Sequence, residues 1–155
     1  ISLKYEKALA NYQENKYSDI LALSQELSKT DPKNIYTSLA NLYSAKIYHD
    51  KKQYDKALTS LNYVVQNSQS DEILNIAKLR TARILIYLKR YDEAKAIIIS
   101  IDNYITQVIP TELLGDVEYY SNNLKEAKKI YQLSLKNEMT PNKRKIIENK
   151  INSIN

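Results

Sequence analysis

A four-residue segment returns along this chain at a nearly fixed interval. Tyr54-Asp55-Lys56-Ala57 reappears as Tyr91-Asp92-Glu93-Ala94 and as Leu124-Lys125-Glu126-Ala127, with a weaker copy at Tyr17-Ser18-Asp19-Ile20. The copies start 37, 37 and 33 residues apart. Self-similarity at such a period marks stacked helical units, each too small to bury its apolar face alone. Around every copy lies the same alternation of small and bulky residues. Repeat two offers Ala45, Tyr48, Tyr54, Ala57, Leu61 and Val64; repeat three offers Ala82, Leu85, Tyr91, Ala94, Ile98 and Ile101. Repeat four offers Gly115, Glu118, Leu124, Ala127, Tyr131 and Ser134, and repeat one is degenerate at Ala8, Asn11, Tyr17, Ile20, Ser24 and Leu27. Ala and Gly let two helix axes approach, while Tyr and Leu at the turn plug the end of the hairpin. The only glycine, Gly115, falls mid-helix, where it costs about 1 kcal/mol of propensity and therefore implies a packing reason.

This pattern resembles the tetratricopeptide repeat, whose period is about 34 residues. The expected fold is all-α, a tetratricopeptide-like stack of four helix pairs over about 1–31, 37–67, 72–102 and 106–137. A capping helix at about 141–153 completes a single continuous domain, 1–155. Within the pairs, helices are expected near 2–14, 17–30, 37–51, 54–67, 72–88, 91–102, 106–121 and 124–137. Ser70 reads as an N-cap before the acids Asp71 and Glu72, and Thr140-Pro141 as an N-cap followed by a first-position proline. Pro110 falls inside the first helix of repeat four. Ile147, Ile151 and Ile154 form one apolar stripe on the last helix, as a stack needs to cover its final face.

Composition removes most chemistry. One Gly and three Pro cannot supply the turns of a β-barrel, and no glycine-rich phosphate loop can be built. The absence of Cys removes disulfides, thiolate metal sites and cysteine nucleophiles. His49 is the sole histidine; it neighbours Asp50 but no nucleophile or oxyanion donor accompanies it. The chain therefore reads as no enzyme, without metal or cofactor. Acidic pairs such as Asp71-Glu72 and Asp92-Glu93 sit where acids favour a helix start. No stretch reaches the roughly 18 apolar residues of a membrane helix, and the chain opens on Ile1 rather than Met, as a piece cut from a longer protein would.

The net charge is +5, and all of it resides between Lys125 and Lys150, where eight basic residues stand against three acids. That is the expected surface of a solvated terminal helix, and no motif of nucleic-acid binding accompanies it. What remains for function is a groove. First helices of each pair line the concave side of such a stack, with side chains at helical spacing. Repeat two places Leu42, Lys46, His49 and Asp50 there, repeat three Leu79, Arg83, Ile86 and Tyr87, and repeat four Glu112, Asp116, Tyr119 and Tyr120. The expected groove runs from a basic middle to an acidic, aromatic end and suits a peptide or partner helix. A clamp for a C-terminal carboxylate would need Lys and Asn where Leu42 and Leu79 stand.

Leu79-Arg80-Thr81-Ala82-Arg83, followed by Leu88-Lys89 and Tyr91-Asp92-Glu93-Ala94, resembles the "LRLAR…YDEAL" stretch of the YfgM family. Glu112-Leu113-Leu114-Gly115-Asp116 is similar to that family's "ELRGD" segment, and Met139-Thr140-Pro141 with Asn149-Lys150-Ile151-Asn152-Ser153-Ile154 to its "TP…KINNL" ending. The resemblance implies an ancillary subunit of the bacterial Sec translocon: a short cytoplasmic tail, one inner-membrane helix and a periplasmic helical-repeat domain. It also implies protein partners, namely translocon subunits and a membrane-anchored periplasmic chaperone, with no catalysis. This chain would be the periplasmic domain, touching the membrane only through an anchor outside it. The alternative is a free soluble peptide receptor or co-chaperone adaptor.

Overall fold

Each hairpin turns on a residue with a left-handed backbone. Asn15, Lys52, Lys89 and Asn122 have φ of 63°, 58°, 60° and 66°, and each lies two positions before a copy of the repeated segment. The computed structural model describes residues 1–154; Asn155, the end of the expected 1–155 domain, lies outside them. The described residues are all-helical, with α1 Ser2–Gln13, α2 Ser18–Thr30, α3 Ile35–Asp50, α4 Tyr54–Asn67, α5 Asp71–Tyr87, α6 Tyr91–Ile99, α7 Val108–Tyr120, α8 Leu124–Ser134 and α9 Pro141–Asn152. A single 3-10 turn, Tyr104–Thr106, precedes α7. None of these helices is long and apolar enough to cross a membrane.

The chain divides into two compact units, 1–78 and 79–155, with α5 starting in the first and ending in the second. In the first unit α1 packs on α2, α2 on α3 and α3 on α4. Tyr5, Ala8, Ile20, Leu23, Leu27, Ala40 and Ile47 form its core. Tyrosine rings fill the gaps: Tyr12 meets Tyr43 edge-on with centroids 4.7 Å apart, and Tyr5 lies 5.1 Å from Tyr36. Burial, reinforced by Tyr43 and Tyr36, pushes the Tyr5 phenol up to about 12. In the degenerate first repeat, aromatic bulk thus stands in for missing consensus residues.

In the second unit α6 packs on α7, α7 on α8 and α8 on α9. Ala127, Tyr131, Ile147 and Ile154 make a core beneath α9, with Ile151 packed against it. Of the apolar stripe expected of the last helix, Ile147 and Ile151 lie on the face that α9 buries, and Ile154 is buried just past its end. Thr140 caps α9 by accepting from Lys143 N at 3.2 Å, and Ser70 caps α5 by accepting from Ile73 N at 3.3 Å. Pro110 is third in α7, where its missing N–H would have no helical partner in any case.

The repeat pattern is the packing pattern. Ala45, Ala57, Ala82, Ala94 and Ala127 are buried, as are Leu61, Val64, Leu85, Ile98, Ile101 and Tyr131. A Cβ built on Gly115 would fall inside the Tyr131 ring contact, 2.5 Å from Cδ1, so glycine is required there. Two expectations fail. Leu124 is 38% exposed and does not plug its turn. Helices α6 and α8 each end three residues early, because bonds such as Ile101 N to Ile98 O and Asn137 N to Ser134 O tighten their last turns.

Candidate partner-binding site

On α3, Leu42 is buried rather than presented as an anchor. Lys46 and His49 are exposed and gather around Asp50, with Lys46 Nζ 3.3 Å from Oδ2 and His49 Nδ1 3.3 Å from Oδ1. These hydrogen bonds, that of His49 foremost, hold the Asp50 carboxyl below its ordinary range. The His49 ring meets Tyr54 edge-on at 5.6 Å. No cluster of three or more His, Asp or Glu is gathered as metal ligands among the described residues.

The second unit holds an open cleft of about 500 Å³ between α5 and α7. Arg83, Ile86 and Tyr87 line it from α5, Leu113, Asp116 and Tyr120 from α7, Lys89 from the turn between α5 and α6, and Tyr91 from the start of α6. The two helices present matching rows at i, i+3, i+4 and i, i+3, i+7 spacing, which is how a helix brings several side chains to one face. Tyr87 and Tyr120 are 66% and 58% exposed. Five residues expected in the groove therefore meet here: Arg83, Ile86, Tyr87, Asp116 and Tyr120. Leu79 instead lines a separate depression with Val108, Ile109 and Pro110. Tyr119 packs towards α9, with its ring edge-on to Tyr120 at 5.3 Å.

The acidic end of the expected groove is not available to a partner. Glu112, only 7% exposed, accepts from Lys143 Nζ at 2.7 Å and Lys150 Nζ at 2.9 Å. Asp116 accepts from the same Lys150 ammonium at 2.8 Å and from the Tyr131 hydroxyl at 2.6 Å. Lys150 also lies 5.7 Å from the centre of the Tyr131 ring. Burial works to raise the Glu112 pKa, yet the two lysine bonds outweigh it and hold the carboxyl below its ordinary range. Burial likewise works to lower Lys150, and its bonds to Asp116 and Glu112 carry it above the usual lysine value. Thus α9 neutralises α7's acids.

Three residues of this region were not among those expected in the groove: Tyr91 and Glu118 stand in the repeat series, and Lys89 lies in the Leu88-Lys89 segment before Tyr91. Glu118 is 3% exposed and accepts from Lys95 Nζ at 2.5 Å and Asn123 Nδ2 at 2.8 Å. Burial opposes its ionisation, but these bonds win and depress its pKa. A signal for the α7–α9 pairing did exist: acids at i, i+4 on one helix and lysines at i, i+7 on another each mark a single face.

Comparison with known proteins follows the same outline. The model of the family described as "Tetratricopeptide repeat-like domain" matches residues 1–155. An ancillary SecYEG translocon subunit from Buchnera aphidicola subsp. Acyrthosiphon pisum (strain APS) is 29% identical over 153 residues, 99% of this chain and 78% of that protein. The protein of that name from Escherichia coli (strain K12) is 26% identical over 153 residues, 99% of this chain and 73% of its own length. A third, from Aggregatibacter actinomycetemcomitans, is 29% identical over 88% of this chain and 66% of its own length. These relatives bear the name expected from the motif resemblance. No solved structure matches the chain.

Proposed function

Because the chain belongs to the tetratricopeptide repeat-like domain family, we propose that it is a non-catalytic protein-interaction scaffold, the periplasmic domain of an inner-membrane-anchored ancillary translocon subunit. In this reading it assists chaperones with exported proteins, and its partners are translocon subunits and a membrane-anchored periplasmic chaperone. The observation that carries it is the match to relatives named ancillary SecYEG translocon subunit along 98–99% of this chain for three of them. The α5–α7 cleft supports a binding role, since it joins exposed aromatics, aliphatic side chains and cations in one depression.

The test is co-purification of the tagged full-length protein with translocon subunits from solubilised membranes, beside Tyr87→Ala and Arg83→Glu variants. Retention of SecYEG by the wild type is expected, with weaker retention by the variants. The gene should encode about 20 apolar residues before Ile1, flanked by Lys or Arg on the cytoplasmic side. A polar extension, or a Met directly before Ile1, together with no translocon retained, would sink this assignment and favour the free soluble adaptor.

A further inference from the structure

The charges of the cleft are unequal in availability. Its one carboxylate, Asp116, is taken by Lys150 and by the Tyr131 hydroxyl. Its two cations, Arg83 and Lys89, are exposed and have no side-chain hydrogen bond or ion pair among the described residues. The same cleft is lined by Ile86 and Leu113 and by the exposed rings of Tyr87 and Tyr120. A surface with apolar walls and only positive charge left to pair favours a ligand of complementary charge.

We infer that this cleft takes an acidic segment of a partner protein, seating an apolar side chain between Tyr87 and Tyr120 and pairing its carboxylates with Arg83 and Lys89. The inference rests on the scaffold reading and gives that partner its chemistry. Apolar contact in the middle supplies most of the affinity, while the cations at the edge select sign and speed encounter. Lys150 has a part although it stands outside the cleft. Without it, Asp116 would return a negative charge to the floor and repel the same segment. A basic segment meets Arg83 and Lys89 as like charges and is excluded.

The probes are two capped peptides, Glu-Glu-Leu-Tyr-Leu-Glu-Glu and Lys-Lys-Leu-Tyr-Leu-Lys-Lys, titrated into the isotope-labelled full chain and followed by NMR, which detects weak binding. The acidic peptide should shift the signals of Ile86, Leu113 and Tyr120 and bind about tenfold more tightly than the basic one at low salt, with the gap closing as salt screens it. Arg83→Glu and Lys89→Glu should each lose about tenfold for the acidic peptide, and Lys150→Gln should lose affinity without any residue of the cleft being altered. Amide spectra of each variant verify folding. Equal binding of the two peptides, shifts elsewhere on the chain, or full affinity in both charge reversals would overturn the inference, as would Arg83 and Lys89 responding to anionic phospholipid vesicles and not to the peptide. Such a failure leaves translocon co-purification intact, whereas failure of co-purification with the peptide preference intact would strike only the translocon assignment.

Discussion

The Lys150 ammonium stands 2.8 Å from Asp116 Oδ1 and 2.9 Å from Glu112 Oε1, so one side chain of the last helix spans two acids a turn apart on α7. Lys143, seven residues earlier, bonds the other oxygen of Glu112. The capping helix is thus held by Ile147 and Ile154 beneath it and by two lysines that compensate buried carboxylates. Removing a partner leaves an acid desolvated and short of donors, which costs more than the pair contributes. Lys150→Ala should destabilise by about 2 kcal/mol, and Lys143→Ala/Lys150→Ala by more than the sum of the single changes. Urea unfolding of the three variants measures it; additive, small losses would show that the lysines are held only loosely.

Acid should loosen this unit before alkali does. Glu112 and Glu118 have depressed pKa values, so their stabilisation is complete above their unfolded value of 4.5 and is lost as pH falls through the folded values below it. Lys150 is shifted upward, so its stabilisation is complete below 10.5 and disappears as pH rises through its folded value above that. Glu112→Gln should flatten the acid limb of a stability-against-pH curve while leaving the plateau below that of the wild type. An unchanged acid slope would assign acid unfolding to other carboxylates.

Gly115→Ala tests the close approach of α7 and α8. Alanine is the better helix former by about 1 kcal/mol, so an exposed site would gain stability. Here the new methyl meets the ring of Tyr131, which is buried and tethered through its hydroxyl to Asp116. The ring cannot swing away without breaking that bond, and the net change should be a loss of about 1–3 kcal/mol. Gly115→Leu should lose more, and Ala57→Leu and Ala94→Leu should behave alike, since both alanines are fully buried. Thermal melts decide; a stabilised Gly115→Ala protein would mean the helices do not meet at this point.

The fold was legible because helix period and repeat period both act on residue size. Ala57, Ala94 and Ala127 recur at the same step of each unit and are each buried against a partner helix. The site was only partly legible. Arg83, Ile86 and Tyr87 follow from helical spacing on one element, and Asp116 and Tyr120 from another, and the structure brings both sets to one cleft. The fate of Glu112 and Asp116 depends on lysines 31 to 38 positions away. Spacing on one helix carries no information about which distant helix will cover it, so neutralised acids looked the same as free ones. Leu124 misled for a related reason: it stands at a plug position, but its turn remains open to solvent.

The left-handed residues of the four hairpin turns, like Asn103 before α7, were invisible because the residue type that normally announces them is absent from these positions. Glycine adopts φ near +60° without penalty, whereas other L-residues lose about 1–2 kcal/mol there. Lys52 has φ 58°, is exposed, and donates its backbone N–H to His49 O at 2.8 Å. Its side chain has no bond to lose among the described residues. Lys52→Gly removes the Cβ conflict and, in exchange, gives the unfolded chain more conformational freedom. The first effect is larger, so the variant should gain about 0.5–1 kcal/mol. Asn15→Gly should gain less, because asparagine already tolerates this region and accepts from the Tyr17 hydroxyl at 2.9 Å. Lys52→Ala, which keeps the Cβ, should gain nothing and separates backbone relief from the loss of a charge. Denaturant midpoints for the three variants provide the comparison, and equal midpoints for Lys52→Gly and Lys52→Ala would show that the turn stores no strain.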